Sequence, residues 1–201
     1  MIRLYDNLVS GNCYKIRLLL TQLCIPFERV EKDTRVSETR TPEFLAINRN
    51  GRVPVVRLDN GEHLAESNAI IFYFAEGTPF LPDDRWMRAQ VLQWLFFEQY
   101  SHEPYVAVAR AWLHYYGMDD ERRRQLPQKQ KLGYDALAVM DHTLAERDFF
   151  VGGRYTIADI ALYAYTHVAD EGGFDLGRFP AIRSWLERVK SQPLYIPITA
   201  G

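Results

Sequence analysis

The sequence predicts a small α/β unit followed by an all-helical half. Three observations carry this. Up to residue 76 the apolar residues alternate between strand-like and helix-like spacing. Beyond residue 84 only helix-like spacing occurs. The two regimes meet at a proline-rich stretch, Gly77-Thr78-Pro79 and Leu81-Pro82-Asp83-Asp84.

Residues 2–5 and 8–9 are short and apolar, as in a buried strand. From Cys13 on, Ile16, Leu19, Leu20 and Leu23 stand at helical spacing, and Pro26 stops that helix. Phe27-Glu28-Arg29-Val30 alternates as a strand. A charged stretch from Glu31 to Arg40 leads to a short helix at Pro42–Ile47, and Arg49-Asn50-Gly51 is a turn signal. Val53 to Leu58 reads as a strand, Asp59-Asn60-Gly61 as a hairpin turn, and Glu62–Ala65 as the start of the returning strand. Ser67 is placed to cap a helix from Asn68 to about Glu76, with Ile70, Ile71 and Phe74 on one face. The order is βαβ, then α, then ββα.

Pro54 falls inside the third strand, where a proline demotes the segment to an edge or a bulge. An ordinary trans bond on an edge strand is the simpler reading, since about 5–6% of X–Pro bonds are cis. The alternative is a cis bond that turns the backbone groups of Val53 outward, where an extended peptide can pair with them.

In the second half, residues 85–117 read as a helix bent at Pro104 and residues 127–145 as another. Residues 156–169 and 180–190 complete the set. Thr156-Ile157-Ala158-Asp159 follows the Gly152-Gly153 loop as a capping box with Asp in place of Glu. The expected division is a first domain over 1–78, a linker over 79–84 and a helical domain over 85–201.

A formal net charge of -2 gives no electrostatic case for nucleic acid or an anionic membrane surface. Two cysteines, Cys13 and Cys24, are too few for a disulfide framework, so a reducing, cytoplasmic setting is expected. The start MIRLYDNLV lacks the parts of a signal peptide, and no apolar run approaches the roughly 20 residues that cross a bilayer. The five histidines show no metal-binding spacing, and no metal is expected.

The chemistry-bearing stretch is Ser10-Gly11-Asn12-Cys13-Tyr14-Lys15, SGNCYK, between the first strand and the first helix. Read by itself, Ser10 is a helix cap and Asn12 a turn residue. Cys13, near a helix start that favours a thiolate, is a rival nucleophile, but it lacks a Cys-x-x-Cys partner and turns inward along the helix.

SGNCYK, GRVPVV (residues 51–56), AESNAI (65–70) and TIADI (156–160), in this order and at these distances, resemble the cytosolic glutathione S-transferases over the whole chain. SGNCYK is most similar to bacterial serine-type members with a Ser/Thr-x-Asn-x-x-Lys pattern. The resemblance implies an N-terminal thioredoxin-like βαβαββα domain and an all-helical C-terminal domain, assembled as a cytoplasmic homodimer. It implies a detoxifying transferase with glutathione as co-substrate and no further cofactor, joining the glutathione thiolate to a small hydrophobic electrophile. Partners among nucleic acids or membranes are not implied.

By the same resemblance Ser10, with Asn12, stabilises the thiolate. Ser67 and the helix start behind it take the γ-glutamyl carboxylate, Glu66 the γ-glutamyl amine, and Val53 the cysteinyl backbone beside Pro54. Arg52, Arg40 or Thr39 meets the glycyl carboxylate. Tyr100, Tyr105, Trp112 and Tyr116, in a helical half that also carries Phe96, Phe97 and Tyr115, line the co-substrate pocket. A glutathione-dependent disulfide-bond reductase and a non-enzymatic binding module of the same fold are the alternatives.

Overall fold

The computed structural model describes residues 1–200. The chain divides into two units, one of residues 1–76 together with the tail from Pro193, the other Gly77–Gln192. The first unit runs β1 (Ile2–Asp6), α1 (Gly11–Gln22), β2 (Phe27–Glu31), a 3-10 turn over Thr34–Val36, α2 (Pro42–Ile47), β3 (Val55–Arg57), β4 (His63–Ala65) and α3 (Ser67–Ala75). Its sheet has the order β2-β1-β3-β4. β1 runs parallel to β2 and antiparallel to β3, and β4 returns antiparallel beside β3. This is the thioredoxin-like arrangement.

Period-two alternation explains how the sheet is covered. Tyr5 and Val55, paired across β1 and β3, pack with Phe44 of α2, and Val30, Ile47, Val53 and Ala65 surround them. Leu4 and Val56, one residue along, face the other way and are fully buried. α1 and α3 pack together, burying Ile16, Leu20, Ile70 and Ile71 almost completely. Each such side chain removed from water contributes about 1.5–3 kcal/mol.

Several boundaries differ from expectation. β1 stops at Asp6, and residues 8–9 lie in the loop that follows. β3 begins only at Val55, after a cis Val53–Pro54 bond, so the proline precedes the strand. Ser67 does not cap α3. It is the first helical residue, Glu66 stands before it, and no side chain caps that end. The tail from Pro193, read as part of the helical half, packs on α1: Tyr14 Oη donates to the Ile196 carbonyl at 2.7 Å and Arg17 Nη2 to that of Ile198 at 2.9 Å.

The second unit is all-helical apart from an isolated Val151–Arg154 bridge. It contains α4 (Arg85–Phe97), α5 (Glu103–Arg110), α6 (Asp120–Leu144), α7 (Ile157–Thr166) and α8 (Pro180–Lys190). The expected single helix over 85–117 is interrupted by two π-helical turns, Glu98–His102 and Ala111–Tyr116. In the first, the Glu103 N–H reaches back five residues to the Glu98 carbonyl, immediately ahead of Pro104. Pro127 does not begin α6 but lies inside it. Asp119 caps the helix further upstream by accepting the Arg122 N–H at 2.8 Å.

All ten residues of α7 are buried, as its apolar and small composition on every face requires. The expected capping box starts it. Thr156 Oγ1 accepts the Ala158 N–H at 3.2 Å, and the Asp159 carboxylate accepts the Thr156 N–H at 2.9 Å. Asp159 also accepts from Trp185 Nε1 at 2.9 Å and the Phe150 N–H at 3.2 Å, which ties α8 and the preceding loop to the same carboxylate. Burial raises the Asp159 pKa to about 6, against the lowering effect of these donors.

Gly133 in mid-α6 is accounted for by Phe174, whose ring lies 2.5 Å from where a Cβ would stand. Gly133→Ala improves helix propensity by about 1 kcal/mol but forces that ring away at a cost of roughly 1–3 kcal/mol. The clash dominates, so the variant should unfold at lower urea concentration, with Phe174→Leu in the same chain recovering part of the loss. An alanine variant as stable as the parent would show that Phe174 is free to move.

Candidate functional site

The loop leading to Ser10 is fixed before Ser10 is reached. Asp6, fully buried at the end of β1, receives Arg17 Nη1 of α1 at 2.6 Å and Arg29 Nε of β2. Arg17 Nη2 also donates to the Leu8 carbonyl at 2.8 Å, and Asn7 Nδ2 to that of Lys32 at 2.9 Å. The Ser10 N–H closes the turn on the Asn7 carbonyl at 3.0 Å.

Ser10 is the N-cap of α1, its Oγ accepting the Cys13 N–H at 3.3 Å. Capping occupies a lone pair of the hydroxyl and leaves its hydrogen to donate. The cap reading and the thiol-stabilising reading are therefore compatible. The positive end of α1 lies behind the hydroxyl.

Asn12, two residues on, joins α1 to α3. Ser67 Oγ donates to Asn12 Oδ1 at 3.2 Å. Lys15 Nζ, whose residue is fully buried, donates to Ser67 Oγ at 3.2 Å and to Asn68 Oδ1 at 3.1 Å. Glu66, just before, is exposed and holds φ at +68°, a left-handed conformation that costs a non-glycine residue roughly 1–3 kcal/mol. That bend turns Ser67 inward toward Asn12 while Glu66 stays at the surface.

A second group gathers at the turn before β3. Arg40 Nη1 donates to the Asn50 carbonyl at 3.0 Å, and Asn48 Nδ2 donates to that of Arg52 at 2.9 Å. Gly51, at φ +61°, permits this fold. A Cβ there would lie 2.5 Å from Arg40 Nη1 and 2.8 Å from the Thr39 carbonyl. Thr39 is buried, Arg40 and Arg52 are exposed, Val53 is half-buried and Pro54 is buried.

The structure thus brings Ser10, Asn12 and Ser67 to neighbouring helix ends, and Thr39, Arg40 and Arg52 to one turn. In the second unit, Tyr105 and Trp112 are half-buried and share the Lys129 ammonium, 5.3 and 6.0 Å from their ring centres. Tyr100 is 83% exposed on the first π turn and Tyr116 half exposed at the end of the second.

Sequence reasoning gave no role to Lys15 or Asn68. The available signal was a pair of cations, Lys15 and Arg17, set within an aliphatic helix run and both buried.

Cys13 is a different case. Its Sγ is buried and accepts the Asn7 N–H at 3.4 Å. Burial first, then the Asp6 charge, pushes the thiol far above its usual range. A thiol held protonated is not a nucleophile.

Two known domain families match along the chain. Residues 1–76 match the N-terminal domain of glutathione S-transferases and residues 98–193 the C-terminal domain. A solved glutathione S-transferase from Pseudomonas fluorescens superposes with a TM-score of 0.97 at 51% identity, over 99% of each chain. The disulfide-bond oxidoreductase YfcG of Escherichia coli is 30% identical over 92% of this chain and 88% of its own length. The transcriptional regulator Ure2 of Saccharomyces cerevisiae is 26% identical over 98% of this chain and 67% of its own.

The burial contrast between the two cysteines sets an expected titration. Cys24 is exposed and Cys13 buried, so a disulfide dye should label one thiol per native chain, and both after denaturation. In Cys24→Ser the native protein should not react. Rapid labelling of Cys13 in that variant would reinstate it as a nucleophile.

Proposed function

The chain belongs to the glutathione S-transferase family, and we propose that it acts as a serine-type transferase, activating bound glutathione for attack on a hydrophobic electrophile. One observation carries this reading: Asn12 and Ser67 join the N-terminus of α1, where Ser10 stands, to that of α3 through a hydrogen bond. Two helix starts meeting in this way offer donors to the two negative groups of one ligand, a thiolate and a carboxylate.

In this reading the γ-glutamyl carboxylate lies at the start of α3 on Ser67, and Glu66 accepts from the γ-glutamyl amine. Val53 pairs with the cysteinyl backbone. Arg52 meets the glycyl carboxylate, with Arg40 and Thr39 shaping the turn. The thiol loses its proton to solvent, and the thiolate is held by the Ser10 hydroxyl, the Asn12 amide and the end of α1. The sulfur lone pair then forms a C–S bond to the electrophile, whose leaving group departs with the bonding electrons. Tyr100, Tyr105, Trp112 and Tyr116 offer aromatic surface to that second substrate. The homodimer and cytoplasmic setting implied by the family belong to the same reading.

Disulfide reduction is the second reading, favoured by the 30% identity to YfcG over most of both chains. The same thiolate would attack a disulfide sulfur in place of carbon, and a second glutathione would release the product as glutathione disulfide.

Turnover of glutathione with a chlorodinitrobenzene, set beside turnover with a small disulfide, separates the two. No conjugation across several electrophile classes, despite retention on immobilised glutathione, overturns the transferase reading. Activity on neither, with retention intact, leaves a binding module. A free thiol titrates near pH 8.5, and losing one charge-assisted hydrogen bond costs about 1.5–3 kcal/mol. Ser10→Ala should therefore raise the pKa of bound glutathione by roughly one to two units, with its affinity little changed. Thiolate absorbance against pH measures this. An unmoved curve removes Ser10 from the thiolate site.

A further inference from the structure

We propose that Lys15 is a positioning residue for Asn12, acting through Ser67 to turn the donor end of the Asn12 amide toward the thiolate. This rests on the reading of the site as a glutathione site. The direction of the hydrogen bonds follows from the chemistry of the groups. An ammonium has three donors and no acceptor. Lys15 Nζ lies 3.2 Å from Ser67 Oγ and 3.1 Å from Asn68 Oδ1, so both oxygens accept from it. Ser67 Oγ, having accepted, donates its single hydrogen onward, and the atom of Asn12 that receives it at 3.2 Å is the amide oxygen. The amide nitrogen is therefore turned away from Ser67.

The distinction matters because the two ends of an asparagine amide are nearly the same shape and opposite in electrostatic sense. Nitrogen first, the amide donates to a thiolate; oxygen first, it repels one. A hydroxyl between two side chains can be traversed in either direction, so Ser67 does not choose by itself. A donor-only group at the far end cannot take the Ser67 hydrogen and so leaves it for Asn12, and Lys15 is fully buried where it holds that end. The relay also crosses from α1 to α3, and the Ser67 backbone N–H, at the start of α3, remains for the γ-glutamyl carboxylate. The residue that binds one end of glutathione through its backbone is thereby bonded through its side chain to the residue that meets the sulfur.

The test follows the pKa of bound glutathione by thiolate absorbance in the wild type, Lys15→Met, Asn12→Ala and the double variant. Circular dichroism confirms the fold of each. Lys15→Met should raise the thiol pKa by about one unit, although Lys15 does not touch sulfur. In the Asn12→Ala background the same change should add nothing, because its route is gone. An equal rise in both backgrounds overturns the proposal, since the ammonium would then act on the thiolate directly as a charge. No rise with wild-type Asn12 overturns it as well.

If Lys15→Met does not fold, Ser67→Ala takes its place. It should raise the thiol pKa only where Asn12 is present, and Ser67→Thr should restore it. A Ser67→Ala effect that persists without Asn12 counts against the relay. Should the wild type itself leave bound glutathione at its free pKa, the transferase reading falls and this proposal with it. A lowered wild-type pKa beside an unresponsive Lys15→Met removes the relay alone.

Discussion

Asp6 ends the first strand with a carboxylate from which water is wholly excluded, and the guanidinium groups of Arg17 and Arg29 close on it from α1 and β2. Removing one partner from a buried pair typically costs about 3–5 kcal/mol, because the remaining charge is stranded in a low-dielectric interior. Here the consequence is also geometric. Arg17 carries the Leu8 and Ile198 carbonyls on its other nitrogen, while the Asp6 carbonyl takes the Lys32 N–H at 2.7 Å. Strand, loop, helix and tail are tied at one point four residues ahead of Ser10. Residues 7–9 are short and irregular, yet they deliver the serine hydroxyl to a fixed place.

The three helix starts that matter most are finished differently, and the differences follow their roles. α7 is closed by its own residues, with both halves of the capping box made and Asp159 further occupied by Trp185 and Phe150. It has nothing left to offer a ligand. α1 is capped by Ser10, but through one lone pair of a hydroxyl. α3 has no side-chain cap, and a strained Glu66 stands where a cap would be. The helix start that is purely architectural is the one closed by its own residues, and the one with no side-chain cap is where the bound substrate is expected.

Much of this was legible in the sequence. The switch from mixed to purely helical spacing gave the fold class, TIADI gave the α7 cap, and SGNCYK marked the turn where Ser10 stands. What stayed hidden has physical causes. The tail from Pro193 is held by its backbone carbonyls at Ile196 and Ile198, which leave no trace in side-chain pattern. Lys15 meets Ser67 and Asn68 more than fifty positions along the chain, a closure that local periodicity cannot carry. Ser67 has the composition of a cap, but its hydroxyl is drawn away by Lys15 and Asn12. The π turns over 98–102 and 111–116 contain neither glycine nor proline to announce them.

Those turns also change what length means along this stretch. A π turn takes one residue more than the α turn it replaces, so it behaves as an insertion absorbed without breaking the helix. Removing a single residue from 98–102 would let the backbone return to ordinary α geometry. That turn would then be completed with one residue fewer, so the residues downstream would keep their faces. The same loss within α4 or α5 would instead rotate everything beyond it by about 100°, since each residue contributes 360°/3.6. With the π turn as the site of the loss, Tyr105 and Trp112 would stay on the face they share with Lys129, and Val106 and Arg110 in the interior. The two π turns are therefore the places where this stretch can lose a residue with least disturbance downstream.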